Sequence, residues 1–401
     1  MQDQWKKNVY LLWIAVFVAS ICWSMLMPFM PLFLRDELGA GHKAAAWAGV
    51  VGAVNSLGMA IMAPVWGAVG DRLGRKLMML RAGYVLVLCY AAMAFVQTPV
   101  SLLGVRIAIG LLSGFIPTAT MLVGTTTPQA HVGVALAMIT TAAPAGNIIG
   151  PMLGGLLADL VGIRATMLVS SVLIGTATTF VLLFVKEQFT PIKKDAGTSL
   201  VRDLTEVASH PVLWPLLICS SLAMMASSTL EPIAVPYIKS LLGESAPNWV
   251  AGVLVSLPGV ALVVAAPWWG ARARKWGYGT TLTLGLIFGA VMVLPQAVAL
   301  TAYDFGGLRL AQGFATASVG PGIASLIALM MPQAIRGRAY GINHSFNSIG
   351  WMIGPLIGGF LGTAFGAKYV FVVTGLLYVA AAVWARMVVA PKLKAAADYV
   401  A

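Results

Sequence analysis

The chain has 401 residues, of which 59% are hydrophobic and only 9% charged, with a mean hydropathy of +0.89. Soluble globular chains hold about 25% charged residues, so a water-soluble enzyme or carrier is excluded and a protein embedded in a bilayer is predicted. The net charge of +12 does not indicate nucleic acid, because the lysines and arginines stand in short connections beside apolar runs, as the positive-inside rule expects.

The apolar runs have the length of spanning helices, about 20 residues, and not the alternation of a transmembrane barrel. Twelve spans are predicted, at 9–34, 45–69, 77–96, 99–123, 133–158, 163–185, 212–238, 249–269, 280–300, 303–331, 338–363 and 368–388. The first follows MQDQWKKN; it is too long for a signal-peptide core and lacks a small-residue cleavage site, so it is read as a retained span. Cys22, Cys89 and Cys219 fall inside spans without CxxC spacing, as small core residues, so neither disulfide nor metal site is predicted.

One connection is long. Residues 186–211 carry Lys186, Lys193, Lys194 and Arg202 with Glu187, Asp195, Asp203 and Glu206, and form a polar linker between six-helix bundles at 1–185 and 212–401. With both termini cytoplasmic, 18 of the 25 lysines and arginines face the cytoplasm, five face the far side, and Arg106 and Arg309 lie within spans. That imbalance sets the expected topology.

The two halves are copies. Pro64-Val65-Trp66-Gly67 returns as Pro267-Trp268-Trp269-Gly270, and Gly74 as Gly277, both 203 residues on. Arg106 and Gly110 match Arg309 and Gly313 at the same offset. Gly146, Gly150, Pro151, Gly154 and Gly155 match Gly350, Gly354, Pro355, Gly358 and Gly359 at an offset of 204. Parallel repeats of six spans imply a pseudo-twofold axis along the membrane normal with a central site between the halves. The predicted fold is an all-α membrane protein of twelve transmembrane helices in two pseudo-symmetric bundles.

Over nearly its whole length the chain resembles the major facilitator superfamily. Gly67-x-x-x-Asp71-Arg72-x-Gly74-Arg75-Lys76 is similar to that superfamily's signature between helices 2 and 3. The Gly150-Pro151-x-x-Gly154-Gly155 pattern resembles the antiporter signature of the drug:proton exporters, in particular the twelve-helix bacterial multidrug resistance group. The sugar-porter signature is missing after the sixth span, where VKEQFTPIKK stands. Two departures qualify the match: the loop from 124 to 132 has no acid to pair with Arg75, and the second copy has Arg274 in place of Asp71.

The resemblance implies a secondary transporter, not an enzyme, that exports amphipathic drug-like molecules in exchange for protons by alternating access. Its cargo is a small molecule and its setting the lipid bilayer of a bacterial inner membrane, where it acts as a monomer without cofactor or nucleic acid. Proton-coupled uptake or export of one metabolite is the alternative. A membrane enzyme or receptor is remote, because HExxH, GxSxG and phosphate-loop GK[ST] motifs are all lacking.

Within this frame the charged segment Gly67, Asp71, Arg72, Gly74, Arg75 and Lys76 is a candidate conformational latch, since a carboxylate among cations at helix ends can make and break ion pairs. A positive-inside anchor is its plainer reading. Gly146, Gly150, Pro151, Gly154 and Gly155, with their second-half equivalents, allow close helix approach in lipid and a local kink. Glu231 is the only acid deep in a span, and a carboxylate there costs about 2.5–3.5 kcal/mol on insertion scales, so Glu231 with Arg106 is the candidate proton-coupling pair. Burial favours a neutral acid and a nearby cation favours its carboxylate, so alternating exposure would load and release a proton. Arg309 is a helper in the second half or a snorkelling rim residue. Met25, Met27, Phe29, Asn55, Met225, Gln312, Asn343, His344 and Asn347 are candidate cavity residues, being soft or polar side chains within spans.

Overall fold

The computed structural model describes residues 4–187, 212–331 and 333–393, apart from the side chains of Pro64, Ala68, Asp71 and 333–338. The regular structure of these residues is helical throughout. The first six helices are α1 (Gln4–Asp36), α2 (Ala44–Leu73), α3 (Arg75–Phe95), α4 (Pro99–Thr126), α5 (Val132–Val161) and α6 (Ile163–Phe184). The second six are α7 (Leu213–Leu242), α8 (Asn248–Trp276), α9 (Tyr278–Val298), α10 (Ala302–Met330), α11 (Gln333–Ala364) and α12 (Ala367–Leu393). Eleven of these regions are long and apolar enough to cross a bilayer, and α11, with Asn343, His344 and Asn347 near its middle, is 32 residues long.

Several spans are broken, and proline explains where. A proline lacks the N–H that would bond the carbonyl four residues back, and its ring clashes with that carbonyl. In α1 the turn Met27–Phe29 tightens to a 3-10 helix around Pro28 and Pro31. In α4 the helix stops at Leu112 and resumes at Phe115, with Ser113 four residues before Pro117. In α7 the break is at Leu230, just before Glu231 and Pro232. In α10 it is at Ala317 and Ser318, with Ala317 four residues before Pro321. Pro28 and Pro232 are 204 residues apart, as are Pro117 and Pro321. The breaks therefore repeat with the sequence, in the first and fourth helix of each copy. α5 is also interrupted, at Thr140 and Thr141, four residues and fewer before Pro144.

The chain falls into two compact units. One gathers Met1–Trp47, Val54–Lys193 and Glu244–Ser256, the other Ala48–Ala53, Lys194–Gly243 and Leu257–Ala401. In the first unit α1 packs most extensively on α5 and α3 on α6; in the second α7 packs on α11 and α9 on α12. Most of the linker, including Lys193, Lys194, Asp195, Arg202, Asp203 and Glu206, lies outside the described residues.

The α1–α5 and α7–α11 seams use the same chemistry. A Cβ on Gly154 would strike the backbone of Met25, and one on Gly358 the backbone of Thr229. Ser24 Oγ donates to the Gly146 carbonyl at 3.2 Å, and Ser228 Oγ to that of Gly350 at 3.1 Å. Small residues thus bring the helix backbones together, and a hydroxyl crosses the seam to a carbonyl. Gly252 lies on the Pro151 carbonyl in the first unit, and Gly49 on that of Pro355 in the second.

Candidate functional site

The charged segment between α2 and α3 is less of a loop than its sequence suggests. Gly67 to Leu73 continue α2, and the turn contracts to Gly74, whose φ of +102° only glycine adopts freely. Arg72 is exposed and Arg75 and Lys76 are half-buried, while the Asp71 side chain lies outside the described residues.

An acid from after α6 meets the backbone at the start of α3. Glu187 Oε1 accepts from the Arg75 backbone N–H at 3.0 Å, and Oε2 accepts from that of Lys76 at 2.8 Å. A carboxylate here satisfies two orphan donors at the start of α3 and complements the helix dipole. Lys76 Nζ reaches the Leu182 carbonyl at 2.8 Å, tying the same two helices. Nothing in the local sequence marks Glu187 as this cap, because its partners are more than a hundred residues away. We expect Glu187→Ala to cost about 1 kcal/mol and to lower the melting temperature by about 2 °C, with Glu187→Gln closer to wild type because an amide oxygen still accepts. Scanning fluorimetry on the detergent-purified protein checks this.

The repeated Pro-x-Trp-Gly has a definite structural use. Trp66 Nε1 donates to the Leu111 carbonyl at 2.7 Å, and Trp269 Nε1 donates to that of Phe314 at 2.7 Å. Each carbonyl precedes a helix break and has lost its partner four residues on. In the first copy Arg81 adds to this, with its guanidinium 3.4 Å from the centre of the Trp66 ring and its Nη2 donating to the Ser113 carbonyl at 3.3 Å. That is the carbonyl that Pro117 leaves without a donor. The second copy has Leu284 at the corresponding position. Beside Trp66 is a cavity of about 100 Å³ whose lining includes Met59, Met62, Gly67 and Met121. Trp66→Phe keeps the ring but strands the Leu111 carbonyl, so it is expected to cost about 1–3 kcal/mol, read as a lower melting temperature.

Glu231 opens the second segment of α7, half-buried at the break. A carboxylate at a helix start is favoured by about 0.3–1 kcal/mol, which offsets part of its cost in the bilayer. Upstream, Thr229 Oγ1 and Ser228 Oγ both donate to the Met225 carbonyl, at 2.6 and 3.3 Å, and so stabilise the end of the first segment. Broken helices with polar termini at mid-membrane are where transporters of several folds place substrate and coupling-ion sites. Arg106, in the first segment of α4, is 1% exposed and stands 5.3 Å from the Trp23 ring of α1.

The candidate cavity residues separate into groups. Met25 packs on Gly154, and Met225 on Gly350 and Gly354. The Asn55 backbone lies against Gly110, while its Nδ2 contacts Met59 Sδ at 3.6 Å. Asn347 Oδ1 accepts from Ser220 Oγ at 2.7 Å across α7 and α11. Met27 and Phe29 are buried at the α1 kink, Asn343 is half-buried and His344 is exposed on α11. Gln312, 5% exposed, belongs to a polar cluster in the second unit that includes Arg309, which is buried. Residues not anticipated are Glu187 as an acceptor at the start of α3, Trp66 and Trp269 as donors to carbonyls, Arg81, Ser24 and Ser228, and, around Gln312, Gln296 and Tyr378. For the serines and tryptophans the signal was present, since each pair recurs at the repeat offset.

Paired helix breaks, intramembrane charges and small-residue seams in a duplicated helical fold define a multi-pass membrane transport protein. The profile of the Major Facilitator Superfamily matches residues 12–306 and 218–400, and the chain belongs to that family. Its members are transporters and not enzymes. The chain is 33% identical over 382 residues to "Multidrug resistance protein MdtG" of Serratia proteamaculans (strain 568), covering 95% of this chain and 93% of that protein. It is 30% identical over 382 residues to "Multi-drug resistance efflux pump PmrA homolog" of Lactococcus lactis subsp. lactis (strain IL1403), covering 95% and 94%. Among solved structures, a bacterial homolog to the human lysosomal transporter Spinster, inward-facing and unoccupied, superposes with a TM-score of 0.81 at 13% identity over 98% of each chain, a likeness of fold.

Proposed function

We propose that this chain is a drug:proton antiporter that expels amphipathic small molecules from a bacterial cytoplasm by alternating access. The observation that carries the reading is the match, over 95% of the chain, to proteins named as a multidrug resistance protein and a multi-drug resistance efflux pump homolog. Supporting it is Glu231, an acid at a proline-set break inside a span. In this reading the protein acts as a monomer in the inner membrane with both termini cytoplasmic, and its two six-helix halves, 1–185 and 212–401, joined by 186–211, alternate around the cargo. It uses protons and no cofactor. Each proton entering down 100 mV supplies about 2.3 kcal/mol, enough for a substantial gradient of a neutral solute. Glu231 with Arg106 handles the proton, the segment from Gly67 to Lys76 biases the conformational equilibrium, and the glycine seams let close-packed helices shift together.

The test is accumulation of an amphipathic fluorescent dye in energised cells with and without the protein. Lower accumulation that a protonophore restores to the control level is expected. Higher accumulation, collapsed by the protonophore, would instead mean proton-coupled uptake, and a difference indifferent to the protonophore would remove the proton from the mechanism.

A further inference from the structure

Arg309 lies in the first segment of α10, one turn before Gln312, and is 9% exposed. Its guanidinium carbon is 6.0 Å from the Phe305 ring, its Nε is buried without an acceptor, and among the described residues it has no ion-pair partner. A buried cation is kept in a bilayer only at considerable cost unless something neutralises it. The groups around it are neutral. Gln312 Oε1 accepts from Gln296 Nε2 at 3.0 Å, the Gln296 carbonyl accepts from the Tyr237 hydroxyl at 2.7 Å, and the Tyr378 hydroxyl bonds Ser227 Oγ at 2.7 Å. Gln296 Oε1 is a second buried polar atom without a partner. Next to this cluster the rings of Phe305, Tyr237 and Phe371 meet edge to face, with centroids 4.8–6.0 Å apart.

We propose that Arg309, with Gln312 and Tyr378, forms a subsite in the second unit for the anionic group of a transported molecule, an aromatic carboxylate being the best fit. The negative charge that the described residues withhold from Arg309 is brought by the cargo. A carboxylate suits a guanidinium, whose planar fork offers parallel N–H donors. The aromatic group beside it suits the apolar body of the same molecule. All the residues required lie in one unit. The inference rests on the export reading and refines it: the acid Glu231 serves the proton, while Arg309 selects for charge on the cargo.

The probes are 2-naphthoate and 2-naphthylmethylammonium, which share a ring system and differ in charge. Their binding to the purified full-length protein in nanodiscs is measured by calorimetry at pH 7, and their export by whole cells is followed separately. Wild type is expected to bind the naphthoate at least tenfold more tightly than the ammonium. Arg309→Gln is expected to weaken naphthoate binding at least tenfold and to leave the ammonium unchanged or tighter, while Arg309→Lys retains part of the preference. Equal affinity of wild type for the two probes overturns the proposal, and so does a parallel loss of both in Arg309→Gln, which marks Arg309 as structural. The wild-type comparison needs no variant, so it decides even if Arg309→Gln fails to fold. Binding with the expected charge preference but no export by cells leaves the subsite standing and defeats the export reading; export without that preference does the reverse.

Discussion

Replacing Glu231 by Gln is expected to reduce proton-driven dye export at least tenfold, about 1.4 kcal/mol or more in the driving step, while dye binding stays within about twofold of wild type. Gln has the same shape and keeps a hydrogen-bonding head, so the break at Leu230 and the packing of Pro232 and Ile233 beyond it are preserved. What is lost is a group that can hold a proton and give it up. A carboxyl group at this position is hard to explain by stability, given the cost of about 2.5–3.5 kcal/mol of placing it in the membrane and the modest return from the helix start. Proteoliposomes with an imposed pH gradient report coupled export, and counterflow with no gradient reports binding and conformational exchange. Loss of the first with retention of the second supports the coupling role. Wild-type export by the Gln variant would end it.

The second large effect is at the glycine seams. Gly358→Ala is expected to destabilise by about 3 kcal/mol, the upper part of the range for overpacked interiors. A new methyl group there would press on the carbonyl of Thr229 and its neighbouring Cα and carbonyl carbon, which are backbone atoms that cannot turn aside. Gly104→Ala is the matched control, because nothing lies within 4 Å of a Cβ at that position; removing a glycine from a helix there is neutral or slightly favourable. Thermal melting and the yield of monodisperse detergent-solubilised protein distinguish the two. Equal behaviour of the variants would show that α7 and α11 separate at no cost, and the seam would lose its structural meaning.

These two sites illustrate what the amino-acid order made legible. The spans and the duplication were readable because apolar length and a constant offset are one-dimensional properties. The seams were readable too, since glycines four apart on a span have a single geometric use. The breaks in α4, α7 and α10 were not, because Ser113, Leu230 and Ala317 are ordinary residues in apolar runs; the informative residues were the prolines downstream, and only their recurrence gives them away. Glu187 reads as linker charge in the sequence, because its role depends on where the end of α6 meets the start of α3. Arg309 reads equally as a helper in the second half or a snorkelling rim residue, since helix position alone does not decide on which side of α10 a side chain is covered. Charges and glycines usually mark a turn, yet the first seven residues of the segment from Gly67 to Lys76 extend a helix of 30.

The twin indole bonds bear on the history of the protein. Trp66 to Leu111 and Trp269 to Phe314 share donor, acceptor and length, and each relieves a carbonyl stranded by a helix break. Independent acquisition of both would require the same solution twice, so an ancestor of half the present size already bent its fourth helix and already braced the bend with tryptophan. Arg81 and Glu187 have no counterpart in the second copy, where Leu284 and Ala390 stand at the repeat offset, so the two descendants have diverged in how these helix ends are held.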